Sequence, residues 1–118
     1  AQNDDIDTVI FDEIDTGIGG RTAQMVAERI AMVAAHRQVL CITHLPQIAC
    51  MADTHLYISK HVIDNQTSTV IHPLTTGERV NEIARMASGA NVSSASLDNA
   101  REMIAYAGVK KEEYKKNG

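Results

Sequence analysis

The amino-acid sequence predicts an α/β fold: a parallel βαβ core, then a β-hairpin, then C-terminal helices. Three observations carry that expectation. Two apolar runs, at 8–12 and 38–43, flank a stretch with helical periodicity. Two strand-like runs, 55–63 and 67–74, flank the turn residues Asp64-Asn65-Gln66. Beyond them, Thr75-x-x-Glu78 has the form of a capping box and opens a new helical pattern.

Taken in order, residues 1–7 are polar and read as a linker or the frayed end of a truncated element. Thr8-Val-Ile-Phe-Asp12 is apolar until its closing acid, as expected of a parallel strand buried on both faces. Residues 13–20 hold three glycines and predict a loop. Across 21–36, Ala23, Val26, Ala27, Ile30, Val33 and Ala34 fall on one helical face, with Arg21, Gln24 and Glu28 away from it. Residues 38–43 form a second buried strand, so a right-handed crossover makes the two strands parallel. Pro46 opens a short helix reaching about residue 52, because proline suits the first helical turn. After the hairpin, Val80, Ile83, Ala84 and Ala87 recur at helical spacing until Gly89. A last helix spans 94–107, with Leu97, Ala100, Met103, Ile104 and Ala107 inward and Gly108 ending it. Residues 1–107 thus read as one lobe, and the lysine–glutamate run in 108–118 as a charged, solvated tail.

Composition narrows the function classes. At 118 residues the chain fits one domain, and 44% hydrophobic with 22% charged residues is ordinary for a globular protein. Three Tyr, one Phe and no Trp require an aliphatic core. A net charge of −4 offers no composition-level case for nucleic-acid binding by this chain. Cys41 and Cys50 read as reduced, structural thiols, as in a cytosolic protein. The N-terminus is acidic rather than basic and apolar, and no apolar run approaches the ~20 residues of a membrane span. A soluble, cytoplasmic protein without a membrane partner is expected.

Chemistry concentrates at two strand ends. In an open α/β sheet, ligands sit at the carboxyl ends of parallel strands. Asp12 and His44 each follow such a strand, and both strands belong to one βαβ unit. A carboxylate there can hold Mg²⁺ through water, since that ion dehydrates reluctantly. Glu13, one residue on, points elsewhere and is free to orient and polarise an attacking water. Neutral His44 can donate a hydrogen bond to a γ-phosphate or hold that water in line. Alone, each residue has a plain structural role, as a turn acid or a strand-end histidine. The combination is what points to a site. No Gly-x-x-x-x-Gly-Lys-Ser/Thr phosphate loop occurs in the chain.

Two other chemistries fit less well. Gly17-x-Gly19-x-x-Thr22 mimics a dinucleotide fingerprint but lacks the third glycine, and Asp12, Glu13 and Asp15 would repel a pyrophosphate. Zinc is disfavoured because the spacings among His36, His44, His55, His61, His72, Cys41 and Cys50 match no structural site.

The run Thr-Val-Ile-Phe-Asp-Glu-Ile-Asp-Thr-Gly-Ile-Gly-Gly at 8–20 resembles the Walker B and D-loop of SMC-like, ABC-type ATPases. Gln-Val-Leu-Cys-Ile-Thr-His-Leu-Pro-Gln-Ile-Ala at 38–49 resembles their switch-histidine segment. With Glu-Arg-Val-Asn-Glu-Ile-Ala-Arg-Met at 78–86 and Ser-Leu-Asp-Asn-Ala-Arg-Glu-Met at 96–103, the series is most similar to the RecN family of bacterial DNA repair proteins. The resemblance covers roughly residues 6–107. It implies a partial P-loop NTPase lobe with ATP and Mg²⁺ as ligands. Asp12 is then the Walker B carboxylate near Mg²⁺, Glu13 the catalytic base, Asp15 the D-loop residue at a dimer interface, and His44 the switch histidine. It further implies partners: an N-terminal lobe of the same head, a second head that closes over ATP, and DNA through the full-length protein, in the nucleoid. Because the phosphate loop and signature motif lie upstream in such proteins, the chain is expected to be a C-terminal lobe fragment, inactive alone. A self-contained, non-enzymatic α/β interaction module is the alternative.

Overall fold

The computed structural model describes residues 8–12 and 19–116. Its elements are β1 (Thr8–Asp12), α1 (Gly20–Ala34), β2 (Gln38–Ile42), α2 (Pro46–Ala49), β3 (Leu56–Ile63), β4 (Gln66–Pro73), α3 (Thr76–Ser88) and α4 (Ser94–Lys116). β1 and β2 pair in parallel, with Thr8 opposite Gln38 and Asp12 opposite Ile42. The expected βαβ unit, hairpin and C-terminal helices are all present, so the chain is α/β.

The core lies between helices and on one face of the parallel pair. Ala27, Ile30 and Ala31 of α1, Ile48 and Ala49 of α2, Ile83 and Ala84 of α3, and Ala100 and Ala107 of α4 are buried together. Small residues let the helices approach closely, and Ile83 is the largest side chain that is fully buried among the described residues. The buried stripe of α1 includes Ala31, while Val33, expected inside, is 36% exposed.

Both strands differ from expectation in one respect. They were expected to be buried on both faces, yet their burial alternates. Val9, Phe11, Val39 and Cys41 are the half-buried positions, and Phe11, Val39 and Cys41 pack against the core. Ile10, Leu40 and Ile42 point the other way and stay 67%, 48% and 48% exposed. The reason is that a strand has two faces and the described helices cover only one of them.

The hairpin turns on Asp64 and Asn65, which both adopt positive φ (53° and 64°). That is the two-residue turn whose twist matches the flanking strands. β4 therefore starts at Gln66, paired with Ile63, one residue earlier than expected. Beyond the turn both strands are exposed along most of their length, including Val62, Ile63, Val70 and Ile71. Two strands alone are marginal in water. Here they contact chiefly each other.

α3 begins with the expected capping box. The Glu78 backbone N–H donates to Thr75 Oγ1 at 3.2 Å, and the Thr75 N–H donates to Glu78 Oε1 at 2.9 Å. Gly89 closes the helix with φ 79°, a conformation that costs a glycine little. α4 corrects the sequence reading: the helix expected to stop at Gly108 continues through it to Lys116. One interior glycine costs only about 1 kcal/mol, and tertiary contacts outweigh it. Tyr114 packs on the core, and Lys111 Nζ bonds Asp53 at 3.0 Å and the Ala52 carbonyl at 3.1 Å. Lys110–Glu113 and Glu112–Lys115 pairs sit one turn apart on the same stretch.

Candidate functional site

β1 and β2 run in the same direction and end together, so Asp12 and the residues just after Ile42 share one edge of the sheet. Asp12 is the last residue of β1 and is exposed. His44 stands two residues beyond the partner of Asp12 and is also exposed. The structure thus brings together, at the carboxyl end of a parallel pair, the two described residues singled out from the sequence. Glu13 and Asp15, the other two, lie outside the described residues.

The backbone around His44 is held from both sides. Before it, β2 is locked into register with β1. After it, the Leu45 N–H donates to Thr43 Oγ1 at 3.0 Å, and Leu45 is the N-cap of α2. The N–H groups of Ile48 and Ala49 then donate to the Leu45 carbonyl at 3.2 and 3.0 Å. Pro46, already fixed in φ, occupies the first helical position and is buried. The histidine sits on a short bridge between a strand end and a helix start.

Sequence reasoning missed what holds the far end of that bridge. Arg79 reaches from α3 to the carboxyl end of α2. Its Nη2 donates to the carbonyls of Cys50 and Ala52, at 2.8 Å each, and lies 3.5 Å from that of Ala49. A cation is favoured at the carboxyl end of a helix, and the Ala49 carbonyl also accepts from the Ala52 N–H at 3.1 Å. Lys111 of α4 bonds the same Ala52 carbonyl. The only signal in the sequence was a cation one turn before buried Ile83, on the inward stripe of α3. Burial pushes the Arg79 guanidinium pKa down from its usual value, with Cys50 and Asp53 opposing. Burial likewise raises the Cys50 thiol, against the nearby charge of Arg79.

Chemically, the edge offers an exposed carboxylate, a hard oxygen donor that suits a hydrated Mg²⁺. It adds an imidazole that can donate or accept a proton. Among the described residues, no cluster of three or more His, Cys, Asp or Glu side chains is arranged to hold a metal ion by itself. No helix among the described residues is long and apolar enough to cross a membrane.

A parallel pair with an acid and a histidine at its carboxyl edge, a crossover helix behind it and one face uncovered is compatible with part of an ATPase lobe. Comparison with known proteins gives a more particular likeness. The chain is 49% identical over 107 residues to the DNA repair protein RecN of Bacillus subtilis, a match covering 91% of this chain and 19% of the relative. It is 50% identical over 101 residues to RecN of Deinococcus radiodurans, covering 86% and 18%. Against RecN of Haemophilus influenzae it is 41% identical over 99 residues, covering 84% and 18%. No protein-family model matches. The chain is a homologue of a segment of RecN, consistent with a C-terminal part of such a protein, and spans under a fifth of the length of these curated relatives.

Proposed function

We propose that this chain supplies the hydrolytic edge of a RecN-type ATPase head, within a protein that acts in double-strand break repair and recombination. The observation that carries the reading is the shared edge of Asp12 and His44, in a chain this similar to RecN. In this role Asp12 would be the Walker B carboxylate that holds a hydrated Mg²⁺, whose positive charge would offset that of the phosphates. Glu13 takes the proton of the attacking water as general base. His44 donates a hydrogen bond toward the γ-phosphate, and Asp15 serves the D-loop at the contact between two heads. Hydrolysis is thereby coupled to opening and closing of a head dimer on DNA, in the cytoplasm at the nucleoid.

The uncovered side of the sheet fits the same proposal. Ile10, Leu40 and Ile42 form an apolar face with no described element on it. An N-terminal lobe of the same head is its natural cover, and that lobe also supplies the phosphate loop that this chain lacks. The isolated chain is then inactive. Its acids repel ATP⁴⁻ except through Mg²⁺, and its strand edges favour self-association.

Titration calorimetry with Mg·ATP tests this on the 118-residue chain and on the longer protein, with light scattering of the apo chain alongside. The expected result is ATP hydrolysis by the longer protein, and no hydrolysis with at best millimolar affinity for the chain. Micromolar binding by a strictly monomeric chain would contradict the proposal.

A further inference from the structure

We infer that Arg79 is a positioning residue for His44, acting through helix α2; the inference rests on the proposed role of His44. α2 is a single turn of four residues, too short to hold its own geometry in water. What fixes it is external. Ile48 and Ala49 are anchored in the core, and the carbonyls at its carboxyl end converge on Arg79 Nη2. Its other end starts at Leu45, the residue directly after His44. Any shift of α2 is therefore passed to the histidine across one peptide bond, because β2 fixes the chain on the other side.

Arg79 itself is well placed to be rigid. It lies on the same face of α3 as Ile83, four residues on, which is wholly buried. The capping box fixes the start of α3 at Thr75, one turn before Arg79, and the Arg79 N–H donates to the Thr75 carbonyl at 2.8 Å. Arg79 thus ties α3 to the segment that follows His44. A hydrolytic group displaced by about an ångström can lose a hundredfold in rate, so such a tie matters to turnover without touching substrate.

The test is a double-mutant cycle in the longer protein, using Arg79→Gln, Arg79→Lys and His44→Ala, with circular dichroism to verify folding. Arg79→Gln is expected to lower kcat by about ten- to a hundredfold while the KM for ATP stays within about twofold. In the His44→Ala background the same substitution is expected to cost nothing further, since the group it positions is gone. A kcat at the wild-type level, or a loss that persists undiminished without His44, overturns the inference. If Arg79→Gln does not fold, Arg79→Lys takes its place, because the lysine ammonium lies one bond closer to the backbone than Nη2 and falls short of the point where the carbonyls converge. A fall of at least about threefold that vanishes with His44→Ala supports the inference, and a wild-type rate or a persistent loss overturns it. His44→Ala at the wild-type rate would instead sink the role of His44, and the inference with it. A slow His44→Ala beside a fully active Arg79→Gln would sink the inference alone.

Discussion

Replacing Ile83 by alanine removes the largest side chain that is fully buried among the described residues. Three carbons leave an apolar site, a transfer loss of roughly 2.4 kcal/mol at about 0.8 kcal/mol each. The helices around it meet through Ala49, Ala84 and Ala100, whose short side chains cannot swing in to refill the space. A residual cavity then adds roughly 1–2 kcal/mol, for a total near 4 kcal/mol. Ile10→Ala deletes the same atoms from a position 67% exposed on the open sheet face, and should cost about 1 kcal/mol or less. Urea unfolding of the 118-residue chain, followed by far-ultraviolet circular dichroism, measures both. A domain of this size commonly has roughly 5–15 kcal/mol in hand, so Ile83→Ala should bring it close to its limit. Equal losses at the two positions would refute the placement of the core between helices and the assignment of an uncovered sheet face.

His44→Ala in the longer protein should slow turnover far more than it weakens ADP binding, because ADP lacks the phosphate that the imidazole contacts; equal losses for both would mark a structural histidine. His55 predicts a pH dependence. Burial, first, and the charge of Arg79, second, push its pKa down, with Glu82 opposing. A depressed folded-state pKa means that His55 contributes stability above its unfolded value of about 6.5, which is lost as pH falls through the folded value. His55→Gln should flatten that part of the stability profile, as read from urea midpoints at several pH values, and an unchanged slope would contradict it.

Periodicity made most of the fold legible. The βαβ unit, the hairpin and the capping box rest on local patterns: apolar runs of strand length, the turn residues Asp64-Asn65-Gln66, and Thr75 paired with Glu78. What escaped depends on distance. Gly108 reads locally as a helix stop, and contacts distant in sequence, Lys111 with Asp53 and the Ala52 carbonyl and Tyr114 with the core, explain why α4 continues. The half-exposure of Ile10, Leu40 and Ile42 depends on which elements cover the sheet, and a strand sequence carries no such information. Arg79 was missed for a related reason. A cation in an amphipathic helix normally reads as a solvated residue, and its targets are backbone carbonyls, which leave no mark in sequence. At the candidate site, parallel pairing already implied that Asp12 and His44 share an edge, and the register of β1 with β2 bears that out. The roles of Glu13 and Asp15 rest on the resemblance.

Glu13→Gln in the longer protein tests most directly whether this chain carries the hydrolytic carboxylate. The amide keeps the size and shape of the side chain but cannot accept the water's proton. ATP binding should persist, hydrolysis should fall by roughly two orders of magnitude or more, and the ATP-bound head dimer should accumulate. Steady-state hydrolysis near the wild-type rate would remove Glu13 from the mechanism.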